Sequence, residues 1–386
     1  MKNRTYAVLP AILTVLPALA HAEGNVNDKA LLQQAVNACP ADRGYDTITV
    51  SFIGDVMLHQ AQIDGAYRGN GTYDFSGYFS GIAVDLDEAD LAVANMEFTL
   101  AGEPYTGYPS FSAPDAYAEY MAECGVDIFL TANNHILDKG EKGLLRTLAT
   151  YRRLEREFGI KMTGSAENAD SSDANYPLLM NVDGLKIAII NFTYGTNAVP
   201  HKRWPGTNLT DRTEIGKALT KAENSGAGLT IALPHWGNEY ETSHAPSQEE
   251  LARWLAANGA DLIVGSHPHV VQDTDMLEVT DAGGNPRKVP VIYSLGNAIS
   301  NMSAANTQIG LLLNVHVARD CWGSVSDIIP EYVFLWSSLP GRLKDRHCTV
   351  KVKDYIGKEK YWRQPYEYRK MVNTYLNIKA LTGIED

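Results

Sequence analysis

Hydrophobic residues along this chain come in short unbroken runs rather than in strict alternation. The runs are TITVSFIG (47–54), DLAVAN (90–95), VDIFLTA (126–132), KIAIINF (186–192), LTIALP (229–234), DLIVGS (261–266) and VPVIYSLG (289–296). They are rich in β-branched and apolar residues, the composition of strands covered on both faces. Between several of them apolar positions recur with helical spacing, as in APDAYAEYMAEC (113–124), KGLLRTLATYRRLEREFG (142–159) and SQEELARWLAANG (247–259). The last pairs Ser247 with Glu250 at capping-box spacing and stops at Gly259. Strands alternating with helices predict an α/β fold with parallel pairing and helices on the sheet faces.

The two ends of the chain read differently. Residues 1–22, MKNRTYAVLPAILTVLPALAHA, have a basic start, an apolar middle and a small-x-small end at Ala20-His21-Ala22. That is the pattern of a secretory signal peptide, with cleavage expected before Glu23. A membrane anchor is the competing reading, but Pro10 and Pro17 interrupt the short apolar stretch that it would need. The protein is therefore expected to be exported, either periplasmic or extracellular. Residues 23–45 hold a helical stretch, NDKALLQQAVNA, and a linker; the main domain is expected over residues 46–318. Residues 319–386 form a C-terminal extension with a strand in SDIIPEYVFLWSS and a helix from about 365 to 381. That extension either packs on the main domain or offers its helix to a partner.

Composition narrows the partners. With 45% hydrophobic and 20% charged residues the chain can bury a sizeable core, and its net charge is −13. Removing residues 1–22 takes away Lys2 and Arg4 and no acid, which leaves −15. Nucleic acid and anionic membrane surfaces reward clustered bases, so neither is expected as a partner. Four cysteines, Cys39, Cys124, Cys321 and Cys348, lack the CxxC spacing of a thiolate zinc site. In an exported chain they are free thiols or disulfides, and Cys321 with Cys348 is the expected pair.

The chemistry sits where the runs end. FIGD ends in Asp55, with His59 beyond it; LAVANME ends in Asn95 and Glu97; IFLTANNH ends in Asn133, Asn134 and His135, with Asp138 beyond. IALPHWGNE ends in His235, with Glu239 beyond; LIVGSHPH ends in His267 and His269; VIYSLGN ends in Asn297. Parallel connections bring such ends to one edge of a sheet, where open α/β folds form their binding crevice. One histidine after a strand is ordinarily structural. Acids, amides and imidazoles arriving from five strands are costly to gather unless a cation neutralises them. Three imidazoles, two carboxylates and an amide oxygen, without thiolate, suit zinc, manganese, iron or cobalt better than calcium. Six donors exceed one tetrahedral site and fit two divalent transition metals sharing a carboxylate, about 3.5–4 Å apart.

Eight segments then show a resemblance: GDVML (54–58), ANME (94–97), FSAP (111–114), TANNHILDKG (131–140), NFTYGTN (191–197), HWGNEY (235–240), GSHPHVVQ (265–272) and YSLGN (293–297). In this order, they resemble the motif series of the CapA-type poly-γ-glutamate capsule-synthesis proteins. That family is similar to the calcineurin-like metallophosphoesterases. The resemblance implies a four-layer α-β-β-α sandwich followed by the C-terminal extension. It also implies that Asp55 and His269 hold one metal, that Glu97 bridges with Asn95 close by, and that Asn134, His235 and His267 hold the second. His135 would be the catalytic histidine, suited to proton transfer near neutral pH. Phosphoesterases of this type usually begin with Asp-x-His, whereas Asp55 is followed by Val56-Met57 and the nearest imidazole is His59.

Several neighbours have two readings. Asp138 and Glu239 either orient a ligand imidazole or are solvated loop acids. Tyr194 and Asn197 either line a substrate groove or occupy turns, and Trp236 and Tyr240 either wall the site or belong to the core. Two functions follow from the resemblance. One is a metal-dependent hydrolase acting on an anionic cell-envelope polymer or phosphoester, in the synthesis, release or trimming of poly-γ-glutamate. The other is a non-catalytic envelope component that holds the polymer or a membrane-associated synthase complex.

Overall fold

A computed structural model describes residues 46–386 other than 282 and 321. The expected signal peptide, its cleavage point, the helix of residues 23–45, Cys39 and Cys321 lie outside the described residues. The first sheet contains β1 (Asp46–Val56), β2 (Leu91–Met96), β3 (Ile128–Leu130), β4 (Lys161–Thr163), β11 (Asn297–Ile299), β12 (Ile309–Arg319), β13 (Val325–Ser338) and β14 (Cys348–Lys351). The second contains β5 (Leu178–Val182), β6 (Leu185–Thr193), β7 (Leu229–His235), β8 (Leu262–Val264), β9 (Thr274–Thr280) and β10 (Pro286–Ile292). Strand order is β14-β13-β12-β1-β2-β3-β4 in the first, with β11 beside β1, and β9-β10-β8-β7-β6-β5 in the second. Each of the seven apolar runs overlaps one of these strands.

The unbroken runs hide an alternation. In β1, Ile48, Val50 and Phe52 face the second sheet, whereas Ile53 and Val56 face helices. In β6, Ile187 and Ile189 face the first sheet, whereas Ile190 and Phe192 face helices on the other side. Helices Asp115–Glu123 and Gly140–Phe158 cover the first sheet through Tyr117, Met121, Tyr151 and Leu154. Helices Arg212–Asn224 and Pro246–Ala257 cover the second through Ile215, Leu219, Leu251 and Leu255. The result is the four-layer α-β-β-α sandwich. Burying each such side chain contributes about 1.5–3 kcal/mol, and both faces are apolar, so register is fixed by side-chain shape and by the strand ends.

Three local expectations are corrected. The helix at residues 246–257 does not use Ser247 and Glu250 as a capping box. It starts one residue earlier, at Pro246, so Gln248 Oε1 accepts from the Ala245 N–H at 2.8 Å, and Glu250 pairs with Arg212 instead. The C-terminal part has two strands rather than one and continues the first sheet. β13 pairs along β12, and the helix Pro365–Thr382 buries Met371, Tyr375 and Ile378 in the core between the sheets. Cys348 is a free, buried thiol, so the expected pairing with Cys321 is not formed. Cys124 is also free and buried, at the end of its helix, as read from the sequence.

Candidate metal centre

The strands deliver their polar ends to one edge of the sandwich. Asp55 is the penultimate residue of β1, Glu97 follows β2, and Asn133, Asn134 and His135 follow β3. His235 ends β7, and Ser266, His267 and His269 follow β8. Two glycines allow the close approach this needs. A Cβ on Gly54 would stand 1.9 Å from the Gly296 carbonyl oxygen, and one on Gly265 would stand 2.1 Å from that of Tyr293. Because Gly54 has no side chain, the Asp55 N–H donates to Gly296 at 2.9 Å and Asn297 comes into register beside Asp55.

Two buried triads result, one of Asp55, Glu97 and His269 and one of Glu97, His235 and His267. In each, one donor atom per residue lies within 4.8 Å of the others. Glu97 belongs to both. Asn95 Nδ2 donates to Asp55 Oδ1 at 2.7 Å and stands 3.3 Å from Glu97 Oε2 and from His235 Nδ1. His269 Nδ1 lies 3.2 Å from Asp55 Oδ2 and 3.1 Å from Asn297 Oδ1. His235 lies 2.9 Å from Ser266 Oγ through Nδ1 and 2.9 Å from Asn134 Oδ1 through Nε2. Glu97 Oε1 and His267 Nδ1 are buried with no hydrogen-bond partner. His267 and His269 hold left-handed backbone, at φ 101° and 58°, where a residue with a Cβ is strained.

Electrostatics point the same way. Burial, with the neighbouring Asp55 charge, pushes the Glu97 carboxyl well above its usual range. Burial holds His235 well below the ordinary histidine value, and pushes His267 down to about 3, in both cases with other imidazoles adding to it. Burial would raise Asp55, but its hydrogen bond and charge attraction with His269 win and lower it. An orphaned imidazole nitrogen on His267 beside an orphaned carboxylate oxygen on Glu97 is what a divalent cation satisfies, and His269 is the exception, raised by its hydrogen bond to Asp55 against the effect of burial. The residues fit such an ion.

His135 sits beside Asn134, outside both triads. Its Nδ1 is 2.8 Å from Asp138 Oδ2, and Phe111 packs edge-on at 4.7 Å. Asp138 therefore orients this imidazole, not one in a triad. Asn197 joins it: Nδ2 lies 3.3 Å from His135 Nδ1, and the Asn197 N–H donates to the Asn134 carbonyl at 2.8 Å. Tyr194 is half exposed and packs on His267 at 4.6 Å, so it walls the crevice. Tyr240 is half exposed at 6.4 Å from His269. Trp236 belongs to the core under the helices, its indole N–H donating to the Tyr293 carbonyl. Glu239 is exposed and hydrogen-bonds no imidazole, because its loop turns it outward. His59 lies outside both triads, at the start of a short helix, where its Nδ1 accepts from the Asn301 N–H at 3.3 Å. Ser266 is a site residue that the sequence did not mark out, since a serine before a histidine carries no signal of its own. Asn133 and Asn297 stand among the strand ends, and their roles emerge only in space: Asn133 donates to Asn95 Oδ1, and Asn297 to the His269 carbonyl.

The chain is 28% identical over 345 residues to the capsule biosynthesis protein CapA of Bacillus anthracis, covering 85% of this chain and 76% of that protein. It is 24% identical over 289 residues to the PGA biosynthesis protein CapA of Bacillus subtilis (strain 168), covering 72% and 70%. Among solved structures it is similar to the NAD nucleotidase NadN of Haemophilus influenzae, with a TM-score of 0.47 and 18% identity over 86% of this chain and 63% of that one. It is also similar to the calcineurin-like phosphoesterase YfkN of Bacillus subtilis, with a TM-score of 0.43 and 12% identity over 75% and 91%. The profile of the family described as "Bacterial capsule synthesis protein PGA_cap" matches residues 49–302, two thirds of the chain. The chain belongs to that bacterial capsule-synthesis family.

Proposed function

We propose that this chain is an exported, metal-binding, hydrolase-like component of poly-γ-glutamate or related cell-envelope polymer synthesis, release or trimming. The observation that carries the reading is the sharing of Glu97 by two buried triads, with one Glu97 oxygen left unpartnered. Asp55, Glu97 and His269 would hold one divalent transition ion, and Glu97, His235, His267 and Asn134 a second; zinc, manganese and iron all suit this set. Bound there, such ions supply an activated water and stabilise charge on a phosphorus- or carbonyl-centred transition state. The protein's own part is to exclude bulk water, to place an anionic polymer or phosphoester against Tyr194, and to deliver a proton. His135, oriented by Asp138, hands that proton to the leaving group. Residues 1–22 take the chain across the cytoplasmic membrane, to where the polymer and a membrane-associated synthase complex meet it.

The test is metal analysis of the purified mature chain together with turnover of bis-p-nitrophenyl phosphate and of poly-γ-glutamate. The expected result is bound transition metal and turnover of at least one substrate, both lost in His267→Ala and Asn134→Ala. Turnover that survives both substitutions sinks the reading.

A second reading rests on Met57. It is buried and apolar at the Asp-x-His position, and His59 does not replace it in either triad. A non-catalytic component that merely holds the polymer is compatible with such a centre. Polymer binding at full affinity by His267→Ala, without turnover by the unmodified protein, would select it.

A further inference from the structure

Thr196–Trp204 leaves the candidate metal centre as a strap on the surface. Asn197 at its root touches His135, and Tyr194 just before it packs on His267. Further along, Val199, Pro200, His201, Lys202 and Arg203 are all exposed. Lys202 and Arg203 pair with no carboxylate among the described residues, in a chain with 46 acidic residues against 33 basic ones. Neighbouring bases are compensated: Lys217 pairs with Glu214 at 2.9 Å and Lys221 with Asp173 at 3.0 Å. Arg203 instead lies over the Trp204 ring, 4.3 Å from its centre, and donates to the Thr207 carbonyl. Lys202 stands five residues from Asn197, so it is at most about 17 Å away along the chain.

Position makes these charges useful. The crevice gathers Asp55, Glu97 and Asp138, with Glu239 exposed at its rim. An anionic chain arriving there meets repulsion unless a basic surface offsets it, and exposed charges act over about 8–10 Å at moderate salt. At its far end the strap opens on a cleft of about 590 Å³ lined by Tyr176, Arg203, Trp204 and Asn208. Three acids also line it, but Asp173 and Glu214 are paired with lysines and Asp211 caps a helix by accepting from Thr213 and Glu214 N–H groups. Lys217 and Lys221 line it too, so its three acids meet three bases, and Arg203 alone of those bases has no carboxylate partner among the described residues. The Tyr176 hydroxyl is buried and has no hydrogen-bond partner, so an incoming carboxylate would satisfy it.

We infer that Lys202, Arg203 and the cleft behind Trp204 form a binding subsite for a polycarboxylate chain, which the strap leads to the metal centre. This rests on the proposed role with poly-γ-glutamate and names where that polymer is held. Lys202 and Arg203 meet successive carboxylates, and Tyr176 donates to one inside the cleft.

The experiment is equilibrium binding of fluorescently labelled poly-γ-glutamate to the whole chain, compared between Lys202→Glu/Arg203→Glu and Lys358→Glu/Lys360→Glu. The second pair is also exposed and lies in the C-terminal part. Reversing the strap charges should weaken binding roughly tenfold at low salt, an effect fading toward about 0.5 M salt. The C-terminal reversal should change it less than about twofold, and both variants should keep the melting temperature and metal content of the unmodified chain. Tyr176→Phe should weaken binding by a smaller factor without the salt dependence. Equal losses in the two charge reversals, or no loss in the strap variant, would overturn the inference. Binding is read apart from turnover. Polymer held through the strap but never cleaved would sink the catalytic reading alone, whereas diester turnover by a chain that ignores the polymer would sink the subsite alone.

Discussion

His135 Nδ1 donates to Asp138 Oδ2 across 2.8 Å, and the two side chains are 4% and 2% exposed. The same oxygen accepts the Phe111 N–H at 2.8 Å, so Asp138 is itself fixed from a second segment. Holding the proton on Nδ1 leaves Nε2 as the atom that can face a reacting group.

Asp138→Asn should therefore leave metal content and melting temperature near those of the unmodified protein while lowering kcat at least about tenfold, with His135→Gln costing about 100-fold or more. Steady-state kinetics on a generic phosphodiester, beside metal analysis of the same preparations, checks it. A loss of kcat only in proportion to lost metal or lost fold would assign Asp138 a structural role.

Glu97 gives a prediction in which stability and binding move in opposite directions. Without a cation, one of its oxygens is buried and unpartnered and its carboxyl is pushed up by burial. Glu97→Gln should leave the chelator-treated protein as stable as before, or more so, because an amide avoids a buried charge. The same variant should lose most of the stabilisation that added zinc or manganese gives, which is about 2.7 kcal/mol at 100 times the dissociation constant. Thermal melts with and without EDTA measure both. A full metal-induced rise in the variant would remove Glu97 from the centre.

How much of this was legible before the fold was known follows from the range of each signal. Asp55, Glu97, Asn134, His235, His267 and His269 each end an unbroken apolar run, and ends of parallel strands must share an edge, so their gathering could be read from local pattern. β12 could not. Its segment GLLLNVHV pairs antiparallel along β1 from Asp46 to Ile53 and makes the sheet mixed. Antiparallel partners of high sequence separation leave no local trace, and neither does the continuation of the sheet into β13 and β14. Nor does spacing tell which acid orients which imidazole. Asp138 and Glu239 looked alike, and only the turn after β3 puts one against His135 while the loop after β7 turns the other to solvent.

Gly54 tests whether backbone contact assembles the centre. Any Cβ there meets the Gly296 carbonyl oxygen at 1.9 Å and its carbon at 2.9 Å, backbone atoms that cannot swing aside. Gly54→Ala should lower stability by at least the ~1–3 kcal/mol typical of overpacking. It should also reduce metal uptake, because Asp55 and Asn297 are placed through this contact. Denaturant unfolding with metal analysis reads both effects. A variant of unchanged stability would mean that the β1–Gly296 contact relaxes freely and does not set the site.

His347 sets the direction of the last prediction. It is fully buried, and burial, with the nearby His59 adding to it, pushes its pKa down to about 4 from an ordinary 6.5. Its Nε2 donates to Asn301 Oδ1 at 2.8 Å, its ring lies 5.8 Å from that of Tyr78, and Nδ1 has no partner. Above pH 6.5 the imidazole is neutral whether folded or unfolded, and the group adds no pH dependence. Below that value the unfolded chain takes up a proton that the folded chain refuses, so stability falls with pH by about 1.4 kcal/mol per pH unit until about pH 4. His59 is held down to about 4 by its own burial and adds to the fall. His347→Gln keeps a donor for Asn301 and cannot titrate. Its unfolding free energy, measured in denaturant at pH 7, 5.5 and 4.5, should therefore drop less steeply than that of the unmodified protein by about one proton's worth, or about 2–3 kcal/mol over the interval. Identical slopes would show that His347 is protonated in the folded state without cost, which a buried ring with an unpartnered nitrogen does not allow.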